Sequence, residues 1–183
     1  MIIEKDLNLT LLISSVRTYE REALSEAWQL FKEFGYESKA AISNIPGLSL
    51  LTIPKGNLKE IIGIIQSQLT KKIFDYCLKF VPLQKIVPTT LKQIVDTVKE
   101  LLDENQLILD KWRITLNRRH TTLDRMAILQ KVAKVVEHGK VDLKNPSWII
   151  QIEILGKISG ISILQPHQII SQGRKEKDEK LFP

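Results

Sequence analysis

The residues best equipped for chemistry in this chain are three arginines, Arg118, Arg119 and Arg125, set close together around a short turn. A guanidinium keeps its charge at any working pH and presents a planar fork of donors, which matches a carboxylate or a phosphate. Placing residues 123–138 on a helix puts Ile128, Leu129, Val132, Val135 and Val136 on one face, with Lys131 and Lys134 outward as solvated lysines. Arg125 falls in the middle of that apolar face, in the first turn, where free backbone N–H groups favour an anion. It cannot be buried unpaired, so it must reach past the helix start, snorkel, or pair with an acid such as Glu153. Arg118 and Arg119 leave the preceding strand just before the same turn. The expectation is that three guanidiniums converge on a helix N-terminus to cradle phosphate oxygens.

The charge distribution agrees with a polyanionic partner. Twenty-seven basic and twenty-one acidic residues give a net charge of +6 over 183 residues. From Lys111 to Lys144 the basic residues are Lys111, Arg113, Arg118, Arg119, Arg125, Lys131, Lys134, Lys140 and Lys144, opposed only by Asp124, Glu137 and Asp142. That window accounts for the whole excess, and the rest of the chain balances.

Other chemistries find little to stand on. A lone Cys77 allows no internal disulfide and no thiolate zinc site, and in an apolar strand it reads as a small core residue. His120, His138 and His167 are too dispersed for a local metal motif, so neither metal nor cofactor is expected. There is no GxGxxG, GxSxG or HExxH pattern, and Gly156-Lys157 is followed by Ile158, which breaks any P-loop comparison. Glu20 and Glu22 are paired carboxylates, read as complementing a helix dipole. The chain is therefore expected not to be an enzyme. No apolar run approaches the roughly 20 residues of a membrane span, nor is there a signal-peptide core, so a soluble, cytoplasmic protein without a membrane partner is expected.

The elements that must position these residues follow from periodicity. Leu7, Leu9, Leu11 and Ile13 alternate as a strand. Thr18 stands as a helix cap ahead of Leu24, Ala27, Trp28, Phe31 and Phe34, and Gly35 is a stop. Strand-like runs 39–45 and 48–53 flank Pro46-Gly47, Asn57 opens a second helix, and 76–80 reads as a strand. The order β-α-β-β-α-β is the ferredoxin-like pattern. A second unit begins near Pro88, with Thr90 capping a helix on which Leu91, Ile94, Val95, Val98, Leu101 and Leu102 make an apolar stripe. Trp112, Ile114 and Leu116 alternate with Arg113, Thr115 and Asn117 as a strand. A helix runs from about Leu123 to Glu137, and strands follow at 148–155 and 158–164. Trp28, Trp112 and Trp148 fall on apolar stripes and are expected in the core, and the charged stretch from Gln172 to Lys180 is expected to fray.

Several runs carry a family likeness. Trp112-Arg-Ile-Thr-Leu-Asn-Arg-Arg-His-Thr121, Leu123-Asp-Arg125, Lys140-Val-Asp-Leu-Lys-Asn-Pro146, Ile152-Glu-Ile154 and Gly160-Ile-Ser-Ile-Leu164 resemble the THUMP domain. The junction Phe80-Val-Pro82 and Val87-Pro-Thr-Thr90 fits the start of that domain. Within the family the chain is most similar to the stand-alone branch that includes the tRNA-binding adaptor of the N4-acetylcytidine acetyltransferase. The resemblance covers about residues 80–170 and is weaker, by element order, before them. It implies an α+β architecture, with a ferredoxin-like domain over 1–85, an α/β THUMP domain over 86–170 and a charged tail over 171–183. It also implies tRNA binding, at the acceptor stem and 3′ end, by a non-catalytic protein that presents tRNA to a modification enzyme such as a cytidine acetyltransferase. With about twenty residues after the last strand, no catalytic domain is expected there, which suits that role. Ser147 departs from the acidic residue common after Asn-Pro. The expected RNA contacts are Arg113, Arg118, Arg119, His120, Arg125, Lys140 and Lys144. The competing reading is an interaction module whose basic surface docks an acidic protein.

Overall fold

The computed structural model describes residues 8–172. Leu7, expected at the head of the first strand, and the expected tail beyond Gln172 lie outside the described residues. The first unit runs β1 (Leu9–Ser15), α1 (Glu20–Glu33), β2 (Lys39–Ile42), β3 (Leu48–Ile53), α2 (Leu58–Lys71) and β4 (Cys77–Leu83). Its strands are antiparallel in the order β4-β1-β3-β2, the ferredoxin-like arrangement that the element order implies. Alternation along β1 sends Leu9, Leu11 and Ile13 into a core with Ala27 and Phe31 of α1 and Ile61 and Ile65 of α2. Cys77 is buried in the same core, as expected, and burial pushes its thiol well above its ordinary pKa.

Local details differ from the sequence reading. Asn57 caps α2 as expected, its side chain accepting from the N–H groups of Lys59 and Glu60. Thr18 does not cap α1: its φ of +76° puts it in the left-handed region, and Tyr19 takes the cap position without a side-chain bond. Glu20 instead reaches back to the N–H groups of Thr18 and Gly47, and those backbone bonds hold its carboxyl below the usual value. Trp28 is 39% exposed, not core, and Lys32 Nζ sits 4.7 Å from its ring centroid, a cation–π contact at the surface. β2 ends at Ile42, three residues early, where the Ser43 hydroxyl donates across the turn to Leu48 O at 2.7 Å.

The second unit comprises β5 (Lys85–Pro88), α3 (Leu91–Glu104), β6 (Lys111–Arg119), α4 (Arg125–Val135), β7 (Lys140–Val141), β8 (Trp148–Leu155) and β9 (Ile158–Leu164). The sheet order is β5-β9-β8-β6-β7, with β6 parallel to both β7 and β8 and the other pairs antiparallel. Both helices cover one face: Ile94, Val98 and Leu101 of α3 and Ile128 and Val132 of α4 pack on Trp112, Leu116, Ile150, Ile152 and Ile161. α4 ends at Val135, earlier than its apolar period suggests. Gly139 (φ +82°) must pass directly against the Leu109 carbonyl, where any Cβ would overlap, before Lys140 N bonds Asp110 O at 2.8 Å. This glycine serves close approach.

The two sheets share a third apolar cluster. Leu12, Leu48, Val81 and Leu83 from the back of the first sheet meet Leu155 of the second, and Gly160 of β9 lies against the Leu83 side chain. Burying each such leucine contributes about 1.5–3 kcal/mol, so packing as well as chain connection joins the units. Ser162 Oγ donates to Pro82 O at 2.7 Å and accepts from Gln84 N at 2.9 Å across the same junction. After β9 a short 3₁₀ turn, Pro166–Gln168, leads to β10 (Ile170–Ser171), which pairs with β4 and so rejoins the first sheet. Among the described residues no helix is long and apolar enough to cross a membrane.

Candidate nucleic-acid interface

β6 organises the basic segment, and its alternation decides where each arginine goes. Arg113, Thr115, Asn117 and Arg119 share one face; Trp112, Ile114, Leu116 and Arg118 share the face that carries α3 and α4. Arg118 and Arg119 therefore leave the strand on opposite sides of the sheet.

Arg119 is engaged internally. Its Nη1 donates to Glu153 Oε2 at 2.7 Å, and Glu153 is only 2% exposed. The other carboxylate oxygen accepts from Asn117 Nδ2 at 2.7 Å and from Gln151 Nε2 at 2.6 Å. A buried carboxylate needs this many donors, since an unpaired charge there would be very costly. Arg125, the first residue of α4, is exposed, and its Nη1 donates to Leu116 O at 3.1 Å. It thus reaches past the helix start, and its partner is a backbone carbonyl rather than Glu153.

The helix start itself is capped. Asp124 accepts from Ala127 N at 2.7 Å, so a carboxylate of this chain already holds the anion position. The threefold cradle expected from the sequence is therefore not formed. Arg118 and Arg125 lie on the helix-bearing side, exposed His120 (φ +53°) turns between them, and Arg119 is held by Glu153.

Lys140 and Lys144 belong to the other end of β6. Lys140 is in register with Lys111 through the two-residue β7, which the sequence pattern did not announce. Lys111 and Arg118 are about 23 Å apart at ordinary strand rise. Arg113 Nη1 donates to Leu143 O at 3.2 Å and so faces the Lys144 loop. In that loop Asp142 accepts from Asn145 N at 2.9 Å and Lys144 N at 3.0 Å, and these backbone bonds hold its carboxyl below the usual range. The basic side chains thus form two exposed groups, at the two ends of one strand. Asp124 beside the first group and Asp142 beside the second are turned onto backbone N–H groups.

Sequence reasoning missed the Asn117–Gln151–Glu153 network. Its signal was available: the alternation that separates Arg113 and Asn117 from Leu116 also assigns Arg119 to their face, two residues further on.

The family model of the THUMP domain matches residues 88–164, which span the second sheet from the end of β5 through β9. The chain carries a THUMP domain. A search of curated proteins finds no match to the sequence. Among solved structures the chain is similar to protein PH1313 of Pyrococcus horikoshii Ot3, at 19% identity and a TM-score of 0.63, over 87% of this chain and 55% of that one. It is also similar to TrmN of Thermus thermophilus, at 12% identity and a TM-score of 0.60, covering 90% and 46% of the two chains. A 4-thiouridine synthetase in complex with RNA and bound ATP gives 14% identity and a TM-score of 0.55, with 87% and 42% covered. These likenesses establish a shared fold that takes in the ferredoxin-like unit as well as the THUMP domain. The chain spans about half the length of each of these structures.

Proposed function

We propose that this chain binds tRNA through its THUMP domain and, without catalysing the reaction, presents it to a separate modification enzyme, for instance a cytidine acetyltransferase. The observation that carries the reading is the THUMP domain at residues 88–164 with exposed cations at both ends of its strand β6. The resemblance of its motifs to the stand-alone branch supports the presenting role and the acceptor stem with its 3′ end as the part of tRNA held. The related fold of a 4-thiouridine synthetase bound to RNA supports a nucleic-acid ligand. Arg118, Arg125 and His120 at one end, and Lys140 and Lys144 at the other, are exposed side chains that can meet phosphates, Arg125 with the donors that Leu116 O does not take.

The test is a tRNA titration across salt concentrations. About four phosphate contacts give a slope of log affinity against log salt near −3. Equal binding to any duplex removes the tRNA-end reading, and a flat dependence removes it and leaves the acidic-protein alternative. For the presenting role, adding the protein to a tRNA cytidine acetyltransferase is expected to raise acetylation at limiting tRNA. An unchanged rate would remove that role.

A further inference from the structure

Tyr19 and Tyr76 stack at the surface of the ferredoxin-like unit, with ring centroids 5.5 Å apart and planes 24° from parallel. They remain 44% and 38% exposed, so the pair does not serve the core beneath it, where Phe74 and Cys77 are buried. Both rings stand on fixed backbone. Glu26 accepts from the N–H groups of Asp75, Tyr76 and Cys77 at 2.6, 3.0 and 3.0 Å. Tyr19 follows Thr18, a β-branched residue at φ +76°, a conformation that persists only where its surroundings enforce it.

The turn beside the pair leads toward the end of β6. Ser15 N bonds Gly47 O, and the Arg17 side chain approaches Gly47. Leu48, the next residue, shares an apolar cluster with Leu155 of the THUMP domain. Leu155 is in register with Arg119, and Gly156 lies beside His120. Arg17 is exposed, with no ion pair or hydrogen bond of its side chain among the described residues. The neighbouring acids Glu20 and Glu26 are turned onto backbone N–H groups and Asp75 pairs with Lys72, leaving Glu22 exposed.

Exposed, rigid aromatic rings beside a cationic rim are the arrangement by which proteins hold unpaired bases, since every base has a π-face to stack. We propose that Tyr19 and Tyr76 form a stacking platform for an unpaired RNA nucleobase, with Arg17 on the adjoining phosphate. This rests on the RNA-binding reading above and extends it to the ferredoxin-like unit.

The test uses the full chain, bulk tRNA and a short oligoadenylate carrying 2-aminopurine. Wild-type protein is expected to quench the 2-aminopurine on binding, as stacking does. The double variant Tyr19→Leu with Tyr76→Leu is expected to lose about tenfold in oligoadenylate affinity, while Tyr19→Phe with Tyr76→Phe keeps it. If the leucine variant binds as wild type does, or no quenching accompanies wild-type binding, the platform is wrong and RNA binding still stands. If wild-type protein binds neither RNA, the underlying reading has failed instead. Should the leucine variant fail to fold by circular dichroism, the wild-type quenching decides alone.

Discussion

Arg119 Nη1 lies 2.7 Å from Oε2 of Glu153, a carboxylate sealed between the sheet and its neighbours, while Arg118 leaves the opposite face of the strand with no such partner. Adjacent arginines thus have different tasks. Arg119→Ala strands a buried charge on two amide donors and is expected to cost about 2–3 kcal/mol of stability. Glu153→Ala is expected to cost about 3 kcal/mol, because Arg119, Asn117 and Gln151 all lose an acceptor. Arg118→Ala should stay within about 0.5 kcal/mol. Urea denaturation of the three variants measures this, and equal costs for the two arginines would refute the division.

The same division predicts the RNA side. Replacing Arg118 removes a side chain free to meet a phosphate, so affinity for tRNA should fall and the salt slope should shrink by about 1. Arg125→Ala should do likewise, with about 1 kcal/mol of stability lost alongside, since Arg125 also serves Leu116 O. Arg119→Ala should leave the slope unchanged. Salt titrations of the three variants with one tRNA preparation check this. A slope reduced by the Arg119 change would mean that Glu153 releases its partner to RNA.

How much was legible before the structure depends on the range of the interaction involved. Leu48–Ile53, Trp148–Leu155 and Ile158–Leu164 are read correctly because apolar runs bounded by turn residues are local signals. β5, β7 and β10 are two to four residues long and exist only because a distant strand pairs with them, which no local pattern encodes. Trp28 fits a helical stripe yet lies at its edge, and α1 buries only the narrower set centred on Ala27 and Phe31. The arginine cluster was found as a set of residues, but nearness in sequence misled. Residues adjacent on a strand diverge, and Glu153, 34 positions from Arg119, decides where that guanidinium goes.

Gly160 and Leu83 make a sharp test of how the two units are joined. A Cβ at 160 would press on the Leu83 methyl groups inside the shared cluster. Gly160→Ala is expected to cost about 1–3 kcal/mol by overpacking. Leu83→Ala is expected to cost about 2–5 kcal/mol by opening a cavity. Made together, the added methyl enters space the leucine vacates, so the double variant should be about 1 kcal/mol more stable than the sum of the two predicts. Additive losses in a denaturation cycle would mean that the units adjust their docking instead.

Glu20 ties the Gly47 turn to the start of α1, and its carboxyl titrates below the usual 4.5 because the Gly47 N–H, chiefly, bonds to the charged form. A carboxyl with a depressed folded pKa contributes stability that is fully present above the unfolded value and fades as pH falls through the folded one. The Gly47 amide resonance should therefore stay constant from about pH 8 to pH 5 and shift only in more acid solution. Glu20→Gln should hold the turn through a neutral acceptor and abolish that acid shift. An amide that moves near neutral pH in the wild-type protein would show that some other group governs the turn.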